Sequence, residues 1–155
     1  MPNRAVPVRG LFESHLTVSD LSQSVAFYRD VVGLPVALEV PERGAAFLWC
    51  GAPGKTMLGL WSLGSMPVGL KLHVAFEVDL EHVLGSPGRL RALGVKPLSF
   101  LGQETNEPTV IGWMPAATVY FRDPDDHLLE YLAMLEEDPR PDAGLVPWSE
   151  WIREC

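Results

Sequence analysis

A short pattern near the start of the chain returns 58 residues later. His15-Leu16-Thr17-Val18 is followed by Asp20-Leu21, and His73-Val74-Ala75-Phe76 by Asp79-Leu80. Two copies of one pattern across most of a chain imply two similar units packed together, because a stacked array needs three or more. The repeat therefore fixes what the intervening residues must build, which is one complete unit each time.

The periodicity of each copy predicts the same order of elements. From Leu11 to Val18 the residues alternate, with His15 and Thr17 on one face and Leu16 and Val18 on the other. Asp20 and Gln23 occupy capping-box positions, Leu21, Val25, Tyr28 and Val32 recur at helical spacing, and Gly33 is the stop. Strands over Pro35–Val40, Ala45–Cys50 and Thr56–Trp61 follow, separated by turns at 41–44 and 51–54. The second copy opens with a strand over Leu70–Val78. A helical stretch begins at Asp79-Leu80, with a break and new start at Ser86-Pro87 and a stop at Gly94. Val95–Leu101 reads as a strand, Gly102–Pro108 as a polar loop, Thr109–Arg122 as one or two strands, and His127–Leu135 as the last. The predicted fold class is α+β, two strand-helix-strand-strand-strand modules, about 11–64 and 68–135, in a domain spanning 11–135. Residues 1–10 form an arm and 136–155 a C-terminal tail, whose Trp148, Trp151 and Ile152 suit docking on the body or on a partner subunit.

Composition narrows the function. A length of 155 residues with 47% hydrophobic content supports a sizeable core without a metal or disulfide. A formal charge of −8 argues against nucleic acid or an anionic membrane surface as partner. Cys50 and Cys155 make no disulfide framework. With no apolar signal segment behind Met1-Pro2-Asn3-Arg4, a cytoplasmic protein is expected.

The stretch Tyr120-Phe121-Arg122-Asp123-Pro124-Asp125-Asp126-His127-Leu128-Leu129-Glu130-Tyr131-Leu132 reads as strand, tight turn and strand, with Pro124 and the aspartates as turn formers. Glu130 stands among apolar neighbours, and a carboxylate in a buried strand must be paired, hydrogen-bonded or metal-bound. His15 and His73 are likewise single polar groups on apolar strands. The three are expected to meet.

Two segments carry a family resemblance. Asp20-Leu21 with Ala26-Phe27-Tyr28-Arg29-Asp30-Val31-Val32-Gly33-Leu34, and Tyr120-Phe121-Arg122-Asp123-Pro124-Asp125 with His127-Leu128-Leu129-Glu130, resemble the two signatures of the vicinal oxygen chelate superfamily. That group includes glyoxalase I, fosfomycin- and bleomycin-resistance proteins and extradiol dioxygenases. The resemblance implies paired βαβββ modules whose mixed sheet curls around the site, and commonly a homodimer. It places the family's metal ligands on His15, His73 and Glu130, the last also as the catalytic carboxylate. It implies a divalent ion, Fe, Mn, Ni or Zn, with open positions for a small-molecule substrate. Asp126 replaces the usual turn glycine and is expected to tolerate the left-handed conformation. The fourth ligand of glyoxalase I, also its base, falls at about Gly59, where no carboxylate is available.

The expected function is a metal-dependent enzyme acting on a substrate that chelates the metal through neighbouring oxygens. A lyase or isomerase, a dioxygenase and a fosfomycin-type transferase all fit. The alternative is a metal-free, bleomycin-resistance-like protein that sequesters an aromatic or cationic small molecule. Trp61, Trp113 and Tyr120 are the candidate substrate contacts, with Trp49, Trp61 and Trp113 read as strand aromatics that could equally be core. His82 is expected to be solvated and His127 to be a turn or surface group. Thr17 could face the substrate. Glu104 and Glu107 could supply the missing base, and Cys50 reads as a small buried hydrophobe.

Overall fold

The structure is a computed structural model and describes residues 10–63 and 71–153. Most of the N-terminal arm, the predicted start of the second module at Leu70, and Cys155 lie outside the described residues. The chain divides into two compact units, Met1–Leu70 and Lys71–Cys155.

In the first unit the strands β1 (Glu13–Val18), β2 (Val36–Val40), β3 (Ala45–Cys50) and β4 (Thr56–Ser62) form one sheet in the order β1-β4-β3-β2. The β1–β4 pair is parallel and the others are antiparallel. Helix α1 (Leu21–Phe27) is the crossover that a parallel pair requires. Its start is as the sequence indicates, since the Gln23 N–H donates to Asp20 Oδ1 at 2.9 Å. A π-helical turn over Tyr28–Val32 extends it, and Gly33 ends it at φ 86°. Leu16, Val18, Leu58, Leu60, Leu48, Val25 and Tyr28 make the buried core. The alternation that buries Leu16 and Val18 sends Glu13, His15 and Thr17 to the opposite face.

In the second unit β5 (His73–Glu77), β6 (Thr109–Ile111), β7 (Ala116–Arg122), β8 (Leu128–Met134) and β9 (Leu145–Pro147) form a sheet in the order β5-β8-β7-β6-β9. Again the first strand pairs in parallel, here with β8. Helix α2 (Leu80–Ala92) packs on β7 and β8 and buries Val83 and Leu90. Together the units are the α+β pair of βαβββ-like modules that the repeat implies.

Two local expectations are corrected. The helix does not break at Ser86-Pro87 but runs through it. Proline has no N–H for the Val83 carbonyl one turn back, and Ser86 Oγ donates to that carbonyl at 2.8 Å instead. Val95–Leu101 is not a strand. Pro97 interrupts it, and only Leu98 pairs with Tyr120 and Glu104. Beyond β8, the terminal segment adds β9 to the sheet edge beside β6 and a final helical turn, α3 (Trp148–Trp151), which buries Trp151 against Val110 and Val146.

Candidate functional site

Strand register places the polar residues of the second unit. His73 lies opposite Leu128, and Ala75 opposite Glu130, so His73 and Glu130 are diagonal neighbours on one face of β5 and β8. Tyr120 lies directly opposite Glu130 on β7. Leu129, on the opposite face of β8, is fully buried, and Glu130 is only 4% exposed.

His73 Nε2 is 3.0 Å from Glu130 Oε2, and His73 Nδ1 is 3.0 Å from the Leu128 carbonyl. A carbonyl only accepts, so Nδ1 carries the proton and donates. In the neutral ring Nε2 then holds a lone pair aimed at a carboxylate oxygen, and two such acceptors need a proton or a cation between them. The other oxygen, Glu130 Oε1, is buried and has no hydrogen-bond partner. A ring whose far N–H is tied to a carbonyl, beside a carboxylate with spare acceptor capacity, fits a divalent ion. Tyr120 stands close by, its ring 6.1 Å from that of His73. Burial pushes the Tyr120 phenol up to about 12; Thr118 opposes the rise, and the Glu130 carboxylate adds to it through its charge and its contact with the phenol. Phe100 packs edge-on against Tyr120 at 5.8 Å.

The turn before β8 sets this geometry. Asp123 Oδ1 accepts from the N–H groups of Asp125 and His127 at 3.0 and 2.8 Å. Asp126 adopts φ 67°, the left-handed conformation expected of it. His127 is not a surface group. It is 1% exposed, and its Nδ1 accepts from the Leu72 N–H at 2.9 Å, which ties the start of β5 to the turn.

His15 belongs to the first unit, where its neighbours are Glu13, Phe47 and Trp61. Its Nδ1 accepts from the Trp61 indole N–H at 3.0 Å, and its Nε2 lies 2.7 Å from Glu13 Oε1. The ring stacks on Trp61 and meets Phe47 edge-on. Arg43 lies over the Trp61 ring, 4.9 Å from its centroid. Within neither unit, among the described residues, do three or more His, Cys, Asp or Glu side chains gather as a metal cluster.

When His15 is laid on His73, Gly59 falls on Leu128 and Trp61 on Glu130. Trp61 thus stands where the second unit has its carboxylate. Gly59 lies directly across from His15, and a Cβ there would sit 2.9 Å from the ring. Glu13 escaped the sequence reading, although its place two residues before His15 in an alternating strand was a signal for a shared face.

The remaining candidates have other surroundings. Trp113 is on the turn between β6 and β7 rather than on a strand, and is 65% exposed. Glu107 accepts from the N–H and hydroxyl of Ser149, and Glu104 from Arg91. Thr17 is buried on the His15 face. His82 is exposed beside Glu81. Burial pushes the Cys50 thiol up, the reverse of an activated nucleophile.

A protein-family model described as Glyoxalase/Bleomycin resistance protein/Dioxygenase superfamily matches residues 10–131. An integron cassette protein from the mobile metagenome of the Halifax Harbour sewage outfall is 28% identical. It covers 82% of this chain and 100% of its own, with a TM-score of 0.68. A lactoylglutathione lyase from Agrobacterium tumefaciens is 26% identical over 83% of this chain and 96% of its own, with a TM-score of 0.64. The fosfomycin resistance protein FosX from Listeria monocytogenes, solved with Mn(II) and sulfate, is 24% identical over 84% of this chain and 94% of its own. Its TM-score is 0.59, a likeness of fold. No helix among the described residues is long and apolar enough to cross a membrane.

Proposed function

The chain belongs to the Glyoxalase/Bleomycin resistance protein/Dioxygenase superfamily, and we propose that within it the protein is a metal-dependent enzyme for a small substrate with two neighbouring oxygens. The observation that carries this reading is the His73–Glu130 pair. A ring nitrogen lone pair and a carboxylate oxygen stand 3.0 Å apart with the second carboxylate oxygen unpartnered. A divalent cation bound there would act as a Lewis acid on the substrate oxygens. The Leu128 carbonyl fixes the His73 tautomer, and Glu130 is buried from water. The Tyr120 phenol keeps its proton throughout the neutral range and can donate it in a hydrogen bond to a substrate oxygen.

Metal-stripped protein titrated with Mn(II), followed by calorimetry and electron paramagnetic resonance, tests this directly. One ion per chain is expected. His73→Ala and Glu130→Gln should each weaken it by about 100-fold or more, since even outer partners of a ligand matter by 10–100-fold. Circular dichroism should stay unchanged. If the parent takes up no divalent ion, or both variants bind it as tightly, the metal reading fails. The metal-free alternative would then rest on the aromatic cluster of Phe47, Trp61 and His15 beside Glu13, which suits an aromatic or cationic guest.

A further inference from the structure

We propose that Trp61 makes His15 a hydrogen-bond donor rather than a metal ligand, so that the two histidines of the repeat do opposite chemistry. A histidine that ligates a metal through one nitrogen donates its other N–H to an acceptor, which leaves the ligating nitrogen with its lone pair. His73 is in this state, because the Leu128 carbonyl takes its Nδ1–H. His15 is in the other. An indole N–H can only donate, so the 3.0 Å contact from Trp61 requires the lone pair of His15 at Nδ1. The neutral ring then carries its proton on Nε2, and Glu13 Oε1 lies 2.7 Å from that nitrogen. A cation approaching Nε2 would meet an N–H. Moving that proton to Nδ1 would set two N–H groups against each other at the indole.

The cause lies in the strand register. In the second unit the position two residues beyond the one facing the histidine is Glu130, and in the first it is Trp61. The carboxylate that would make a second ligand pair is replaced by the group that blocks one. Gly59 completes the arrangement by leaving room for the ring. What the first unit offers is a single N–H aimed at an oxygen, walled by the rings of Trp61 and Phe47. Its partner of choice is a carbonyl or carboxylate oxygen of a flat, conjugated substrate. Glu13, whose side chain is 34% exposed, holds that place and can swing away from it. Trp61 is a positioning residue that acts through His15.

The metal-binding half of the inference rests on the proposed function, and the tautomer half does not. The first experiment therefore uses the full chain labelled with 15N-histidine, without added metal, at about pH 8, above the ordinary histidine range. Long-range 1H–15N correlation, assigned with His15→Ala, should show the proton of His15 on Nε2 and a pyridine-type Nδ1. In Trp61→Phe, which cannot donate, the Nδ1 lone pair loses its hydrogen bond, and its 15N resonance should move downfield toward that of a free pyridine-type nitrogen. A parent with the proton on Nδ1, or a Trp61→Phe spectrum unchanged at His15, overturns the proposal. The second experiment is the Mn(II) titration. His15→Ala should stay within about twofold of the parent, as an uncoupled site does, while His73→Ala loses about 100-fold or more. An equal loss in His15→Ala overturns the proposal and leaves the metal reading intact. If no protein binds Mn(II), the metal reading fails and the histidine spectra decide the tautomer.

Discussion

Gly59 shows how one absent side chain shapes a site. It faces His15 across the parallel β1–β4 pair and Phe47 across the antiparallel β3–β4 pair, so three residues form one row on the sheet. A Cβ at Gly59 would lie 2.9 Å from His15 Cδ2 and 3.2 Å from Nε2, too close to coexist with the ring as placed. Gly59→Ala should therefore force His15 off Trp61 and Glu13 at a cost of about 1–3 kcal/mol, the range for overpacking. Urea unfolding measures it. In a His15→Ala background most of the cost should vanish, because the clashing ring is gone. A full cost in both backgrounds would place the strain elsewhere. At this scale the sequence was legible where a residue answers to its own backbone. Asp126 could be assigned a left-handed turn because the resemblance puts the turn glycine there and aspartate tolerates that conformation. His127 could not be placed, because its burial depends on the Leu72 N–H, 55 positions away. Trp61 was legible as a strand aromatic but not as the counterpart of Glu130, since only the strand register equates them.

Helix α2 shows the same limit for an element. Its start at Asp79 and its stop at Gly94 are written in local residue types. The Val95 and Gly94 N–H groups reach the Leu90 and Arg91 carbonyls at 2.9 Å each, the Schellman end that a glycine at φ 76° permits. Pro87 reads as a break by every local rule. The helix survives because Ser86 Oγ covers the Val83 carbonyl and because α2 packs on β7 and β8. Ser86→Ala removes that donor from a buried carbonyl and should cost about 1–2 kcal/mol. Pro87→Ala returns an N–H within reach of Val83, so the Ser86→Ala cost should shrink in that background. Equal costs in both backgrounds would show that the serine acts through packing alone. The missing strand over Val95–Leu101 is the converse case. Its apolar residues suit a strand, but Pro97 and the turn from Ser99 to Gln103 leave pairing only at Leu98.

For the whole molecule, the order of elements in each unit followed from hydrophobic period and repeat, because a duplicated pattern constrains every residue between its copies. The two sheets also share one rule. The first strand of each unit pairs in parallel with the last strand of its module, and the histidine of the repeat rides on that first strand. A property of the entire fold follows from what the second sheet buries. Burial pushes both Tyr120 and Tyr131 up to about 12, with Arg89 pulling Tyr131 the other way. In the unfolded chain a tyrosine ionises near 10. Below about pH 10 both states keep these protons, and the tyrosines give stability no pH dependence. Between about pH 10 and 12 the unfolded chain releases them while the folded chain holds them, so stability falls as pH rises. The loss is complete once the pH passes the folded value. Urea midpoints measured from about pH 9 to about 11.5 should therefore drop in this window. Tyr120→Phe and Tyr131→Phe should each flatten the drop, because each removes one proton from the difference between the states. Midpoints that fall as steeply in both variants as in the parent would assign the alkaline loss to other groups, and would mean that the face carrying Tyr120 and Glu130 is wetter than its geometry indicates.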